Sequence, residues 1–264
     1  MRSLTLLFAL LLTSPAWAAL DWDTALNGEQ RAQKNAVRDP FRHPRKTLEF
    51  FGIKEGMTVV ELAPGGGWYT EILAPLLRGN GTYYAAHYSP NGSGYSRRAL
   101  GGYLKKLGED DDIYSEVIVT TLAPPDEVMV APPGSADLVI AFRNVHSWMG
   151  GSALGEALTA AFHALKPGGV FGVVQHRARD GRSVDEMKSS GYVHEDYVIA
   201  AALSVGFELD ARSDINANPK DTADHAEGVW ELPPSLRGAE SERAEKLAIG
   251  ESDRMTLRFV KPEI

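Results

Sequence analysis

The sequence predicts an α/β fold: one Rossmann-like sheet of seven strands, mostly parallel, with helices on both faces. Three observations predict it. Short apolar runs alternate with stretches of helical periodicity from residue 52 to 264, and strands joined through helices lie parallel and are covered on both sides. The first apolar run ends in Val59-Val60-Glu61-Leu62 and passes through Ala63-Pro64-Gly65-Gly66-Gly67 directly into a helical segment. The composition, 44% hydrophobic and 23% charged, is ordinary for a globular protein and suggests no disordered or repeat class, and 264 residues are enough for one large α/β domain or two small ones.

Residues 1–18 stand apart. Arg2, an apolar core over 4–12 and Ala16-Trp17-Ala18 before Ala19 read as a secretory signal peptide. The core is shorter than the roughly 20 residues of a bilayer span, so stable membrane insertion is not expected. The expected location is outside the cytoplasm, periplasmic or secreted, after cleavage near Ala18/Ala19. The chain has no cysteine, which excludes disulfides and lipidation at a cysteine. Removing the leader takes away one base and no acid, leaving the rest one unit more negative than the −8 of the whole chain. With no basic run, that charge argues against nucleic acid or an anionic membrane as the main partner.

Residues 19–51 read as a helical arm: 22–38 holds good helix formers, Asp39-Pro40-Phe41-Arg42-His43-Pro44 interrupts, and 45–51 resumes. The stretch 39–44 could cap a ligand cleft or pack as part of the arm; packing is slightly favoured, and Arg42 and His43 receive no catalytic role. The strands follow at 57–62, 82–86, 113–120, 137–142, 170–174, 207–211 and 255–261, with helices over 68–77, 97–107, 154–165 and 194–205. The acidic run 109–112 reads as a solvated turn, Lys166-Pro167-Gly168-Gly169 as a tight turn, and 177–190 as irregular. Residues 214–254 form an insertion that could act as a lid or acceptor wall.

Chemistry concentrates where strands end. Glycines after the first strand let backbone approach a ligand, the helix start offers unpaired N–H groups, and Glu61 can hold a cation or a hydroxyl. In open α/β sheets ligands sit beyond the carboxyl ends of the strands. His87, His146 and His176 stand at the ends of strands two, four and five. His146 and His176 are the candidate general bases, with Arg143 and Asn144 as orienting groups; packing or capping is the alternative for each.

With these motifs the chain resembles the class I S-adenosylmethionine-dependent methyltransferases over about residues 52–262. Val59-Val60-Glu61-Leu62-Ala63-Pro64-Gly65-Gly66-Gly67 matches the family's first motif, Asp137-Leu138-Val139-Ile140-Ala141-Phe142 its fourth strand, and Leu165-Lys166-Pro167-Gly168-Gly169 the turn before the fifth. More closely, Arg38-Asp39-Pro40-Phe41-Arg42-His43-Pro44, Pro64-Gly65-Gly66-Gly67-Trp68-Tyr69-Thr70 and Ser252-Asp253-Arg254-Met255-Thr256-Leu257 resemble a group of exported, predicted methyltransferases without an assigned substrate.

The resemblance implies S-adenosylmethionine as cofactor, bound by Glu61, Ala63, Pro64, Gly65, Gly66, Gly67, His87 and Asn144. It implies methyl transfer, here to a small-molecule acceptor, for which His146 and His176 near the expected cleft are the candidate catalytic bases. Three positions depart from the family. Ala63 replaces the first glycine, His87 the acid that holds the ribose, and Thr120-Thr121 the acid or amide that reads adenine. Together with export away from the cytoplasmic cofactor, these departures support a second hypothesis: a non-catalytic ligand-binding protein on the same sheet. Strands four and five are neighbours in the family's order, so His146 and His176 could also share a metal. No paired-histidine helix motif accompanies them, and no metal is assigned.

Overall fold

The computed structural model describes residues 20–179 and 181–263. The expected signal peptide, 1–18, lies outside them. The N-terminal arm is four short helices: α1 (Trp22–Asn27), α2 (Gln33–Ala36), α3 (Asp39–Arg42) and α4 (Pro44–Phe51). The expected single helix over 22–38 is therefore two. Pro40 and Pro44 sit in the first turns of α3 and α4, where a missing N–H costs nothing, and His43, at φ 41°, turns the chain between them.

The first half of the sheet is β1 (Thr58–Leu62), α5 (Thr70–Leu77), β2 (Thr82–His87), α6 (Gly94–Leu107), α7 (Asp111–Tyr114) and β3 (Val117–Thr121). The third strand thus starts four residues later than expected. The Asp110 carboxylate accepts from the Ile113 N–H at 3.2 Å, so the acidic run caps a helical turn instead of forming a loop.

The second half is β4 (Ala136–Phe142), α8 (Val145–Gly150), α9 (Leu154–Ala164), β5 (Leu165–His176), α10 (Val184–Ser190), α11 (Glu195–Val205) and β6 (Glu208–Ser213). The expected turn at 166–169 is an irregularity within β5, where the register with β4 shifts and Gly168 takes φ 73°. The polar stretch 177–190 holds α10, closed by a Ser183/Glu186 capping box. Two 3₁₀ turns, Gly228–Glu231 and Glu240–Glu242, and α12 (Arg243–Ile249) precede β7 (Arg254–Val260).

The sheet order is β3-β2-β1-β4-β5-β7-β6, parallel except for β7, which runs antiparallel to β5 and β6. This is the class I Rossmann-like methyltransferase arrangement, as expected. The chain moves outward from β1 through β2 to β3, then returns to place β4 on the other side of β1. A crevice opens at that switch point.

Alternation along the strands fills two cores. Val60, Leu62, Val139, Ala141, Phe171 and Val173 face one layer. Val59, Tyr83, Leu138, Ile140 and Phe142 face the other, together with α4, α5 and the arm. Glu61 shares the parity of Val59 and so points toward the arm side. The arm is docked there by Glu71 of α5, fully buried and met by Arg31 at 3.4 Å, Asn35 at 2.8 Å and Lys106 at 2.5 Å. Among the described residues no helix is long and apolar enough to cross a membrane.

Candidate functional site

The turn after β1 is shaped for close approach. Ala63, Gly65 and Gly67 hold φ of 48°, 61° and 79°. At Gly65 and Gly66 an added Cβ would meet nothing within 4 Å, so bare backbone faces open space. At Gly67 a Cβ would press on Lys106 at 3.0 Å and Tyr103 at 3.2 Å. Ala63 accepts a left-handed conformation that costs an L-residue roughly 1 kcal/mol, where the family's glycine would carry none.

Glu61 lies just below this turn, 3% exposed. The Tyr83 hydroxyl donates to Glu61 Oε2 at 2.5 Å. Thr70 Oγ1 is 3.0 Å from the hydroxyls of both Tyr83 and Tyr103, so a buried hydroxyl chain backs the carboxyl. Burial raises the Glu61 pKa to about 7, and the Tyr83 bond works against that rise.

His87 and Asn144 brace the turn. His87 Nδ1 accepts from the Tyr88 N–H at 2.8 Å, which places the ring proton on Nε2, 3.0 Å from the Gly65 carbonyl. Burial lowers its pKa and keeps it neutral. The ring is 1% exposed and is not among the residues that line the cavity described below. Thr120 is also turned away, its hydroxyl donating to the Val130 carbonyl at 2.7 Å. Asn144 does reach the cavity. Its Nδ2 donates to the Leu62 carbonyl at 2.8 Å and ties the end of β4 to the end of β1.

A cavity of about 560 Å³ opens over these strand ends. Glu61, Ala63, Pro64, Gly65 and Gly66 line one side, and Asn144, His146 and His176 another. Eight of the ten expected site residues therefore share one space, whereas Gly67 packs beneath it and His87 braces it from behind. The insertion supplies a further wall through Val229, Trp230 and Pro233 to Ser235. The arm also helps to close the cavity, through Asn35, Arg38 and Arg42, as the capping alternative for this segment would have it.

The two histidines lie side by side, ring centroids 5.7 Å apart. Gln175 Nε2 donates to the Gly191 carbonyl at 2.8 Å and to His146 Nδ1 at 3.1 Å. His146 therefore carries its proton on Nε2. Burial brings its pKa down to about 4. His176 Nδ1 is 2.5 Å from Ser252 Oγ, and burial followed by the nearby His146 and Arg143 lowers its pKa well below the usual range. Both rings are neutral at pH 7. Among the described residues no group of three or more His, Cys, Asp or Glu side chains is placed to hold a metal.

An arginine cluster escaped the sequence reading. Glu251 is paired with Arg38, Arg42 and Arg254. Arg42 also lies over the Trp68 ring, 4.7 Å from its centroid. Tyr69 stacks on Phe142 with centroids 3.6 Å apart and, like Arg42 and Glu61, lines the cavity. The motif holding Arg38 and Arg42 was visible in the sequence, but nothing local to it showed that it folds onto residues 251–254.

No family model and no curated relative matches the chain. Solved structures do. A SAM-dependent methyltransferase from Aquifex aeolicus superposes with a TM-score of 0.58 at 15% identity, covering 85% of this chain and 93% of that one. The cyclase SpnF gives 0.60 at 16%, covering 92% and 87%. A protein of Bordetella parapertussis described as a possible exported protein gives 0.52 at 13%, covering 86% and 68%. Likeness at these identities establishes the fold.

Proposed function

We propose that the protein is an S-adenosylmethionine-dependent methyltransferase acting on a small-molecule acceptor. The observation that carries this reading is the meeting, in one cavity, of the Glu61 carboxyl and the bare backbone of Gly65 and Gly66 with the His146/His176 pair. The open space at the two glycines and the carboxyl of Glu61 suit the amino-acid end of the cofactor, whose ammonium group Glu61 would hold. Toward the nucleoside end the cavity offers Gly102, Lys106 and Glu109 rather than an acid at the end of β2.

When bound, S-adenosylmethionine would supply an electrophilic methyl group on a positively charged sulfur, with a neutral thioether as its leaving group. The chain's own task is chiefly positioning. His146 Nε2–H donates to an acceptor oxygen or nitrogen and orients it. His176, with its Nδ1–H turned to Ser252, presents Nε2 to take the acceptor's proton. Trp230, 5.9 Å from the His146 ring, closes the space and excludes water. Calorimetric titration with S-adenosylhomocysteine tests the reading, and its outcomes are given at the end of the Discussion.

A further inference from the structure

We propose, on the methyl-transfer reading above, that the acceptor carries an oxyanion, a carboxylate or a phosphate, and that Arg143 together with Arg38 and Arg42 holds it. The cavity wall has five cationic side chains, Lys34, Arg38, Arg42, Lys106 and Arg143, against two acids, Glu61 and Glu109. The whole chain has the opposite balance, with a net charge of −8. Positive charge is therefore gathered at this one place.

Two further observations show that the cluster is incomplete as it stands. Arg38 Nη2 and Arg42 Nη2 are buried and have no hydrogen-bond partner. A buried donor left without an acceptor has lost its water without compensation. Arg143 has no side-chain hydrogen bond and no carboxylate within ion-pair distance among the described residues. Its nearest charged influences are of its own sign: Arg42 first, then burial and Arg254, pull its pKa well below the ordinary guanidinium value. Glu251 offsets this only in part, because three other guanidinium groups already share it.

An anion with several acceptor oxygens would satisfy the orphaned N–H groups and the repulsion together. Planar guanidinium forks match carboxylate and phosphate geometry. The placement suits an acceptor. Arg143 directly follows β4, with its N–H on the Val174 carbonyl at 2.7 Å and φ 63°, a conformation that a non-glycine residue adopts only when its surroundings hold it there. His146 is three residues further on, and His176 ends the adjacent strand. An oxyanion bound by Arg143 would bring the rest of its molecule beside the two histidines.

The test is titration of the protein with inorganic phosphate and with succinate, repeated with S-adenosylhomocysteine present. We expect one of the two anions to bind saturably, which also decides between phosphate and carboxylate chemistry. Arg143→Gln should weaken that anion about tenfold or more and leave S-adenosylhomocysteine affinity within about twofold, while Glu61→Gln should do the reverse. Arg143→Lys, which keeps the charge but loses the fork, should fall between, with an unchanged melting temperature as the folding control. Binding of neither anion, or anion binding indifferent to Arg143→Gln, would overturn the proposal. So would competition between the anion and S-adenosylhomocysteine, since the cluster would then hold the cofactor's own carboxylate. Anion binding with no S-adenosylhomocysteine binding would instead overturn the methyl-transfer reading and leave an oxyanion-binding protein.

Discussion

The Tyr83 hydroxyl donates to Glu61 Oε2 at 2.5 Å, inside the buried layer that also holds Val59, Ile72 and Tyr103. This contact joins the strand that carries the candidate ligand carboxyl to the strand beside it. It also decides how that carboxyl titrates.

Glu61 has a pKa of about 7 in the folded chain against 4.5 for a free glutamate. Between those values the native state binds more protons than the unfolded state, so stability is lost as pH rises from about 4.5 through about 7. The full effect is at most about 3 kcal/mol. Glu61→Gln should abolish this part of the pH dependence, and Tyr83→Phe, which removes a bond that favours the charged form, should move it to higher pH. Urea unfolding at pH 5 and pH 8 measures both. An unchanged slope in Glu61→Gln would show that Glu61 titrates as an ordinary carboxyl.

His87 stands where the resembling family places an acid, but its two ring nitrogens are spent on the Tyr88 N–H and the Gly65 carbonyl. Restoring the acid should therefore harm the protein. His87→Asp would place a short carboxylate against a carbonyl in a buried site, so the expected loss is about 1–3 kcal/mol of stability, with weaker binding of S-adenosylhomocysteine. Thermal melts and titration check this; tighter binding in His87→Asp would show that position 87 faces the ribose after all.

His146 is predicted to remain neutral, protonated on Nε2, throughout pH 6–8, because burial holds its pKa near 4 and Gln175 occupies Nδ1. Nitrogen NMR shifts of the ring report both the tautomer and the titration. Gln175→Leu should release Nδ1 and mix the tautomers. A ring titrating near 6.5 would mean that His146 is solvated and free to act as an ordinary base.

These residues also show what was legible in the sequence. Glu61 and the glycine turn could be read because strand end, turn and helix start are contiguous, and each leaves a local signature. The sheet could be read because its strands and helices alternate in order. The missed elements had local causes with weaker signals: the Ser183/Glu186 box that starts α10, and the Asp110 cap that shortens β3. The role of His87 was not legible, because it depends on a bond to its own next residue and on Tyr103 of α6 lying 4.9 Å from its ring. The arginine cluster was not legible either, since Arg38 and its partner Glu251 are 213 residues apart. Only the closed fold shows that the arm walls the cavity.

The central claim is that Glu61 and the glycine turn bind the amino-acid end of the methyl-donor cofactor. The most direct measurement is calorimetric titration with S-adenosylhomocysteine near pH 7, in two buffers of different ionisation enthalpy. The account predicts saturable binding with proton release, because an ammonium group beside Glu61 lowers a pKa that starts near 7. It also predicts that Glu61→Gln loses the proton release and about tenfold or more in affinity. No binding at millimolar ligand, or equal affinity and equal proton release in a folded Glu61→Gln variant, would contradict it.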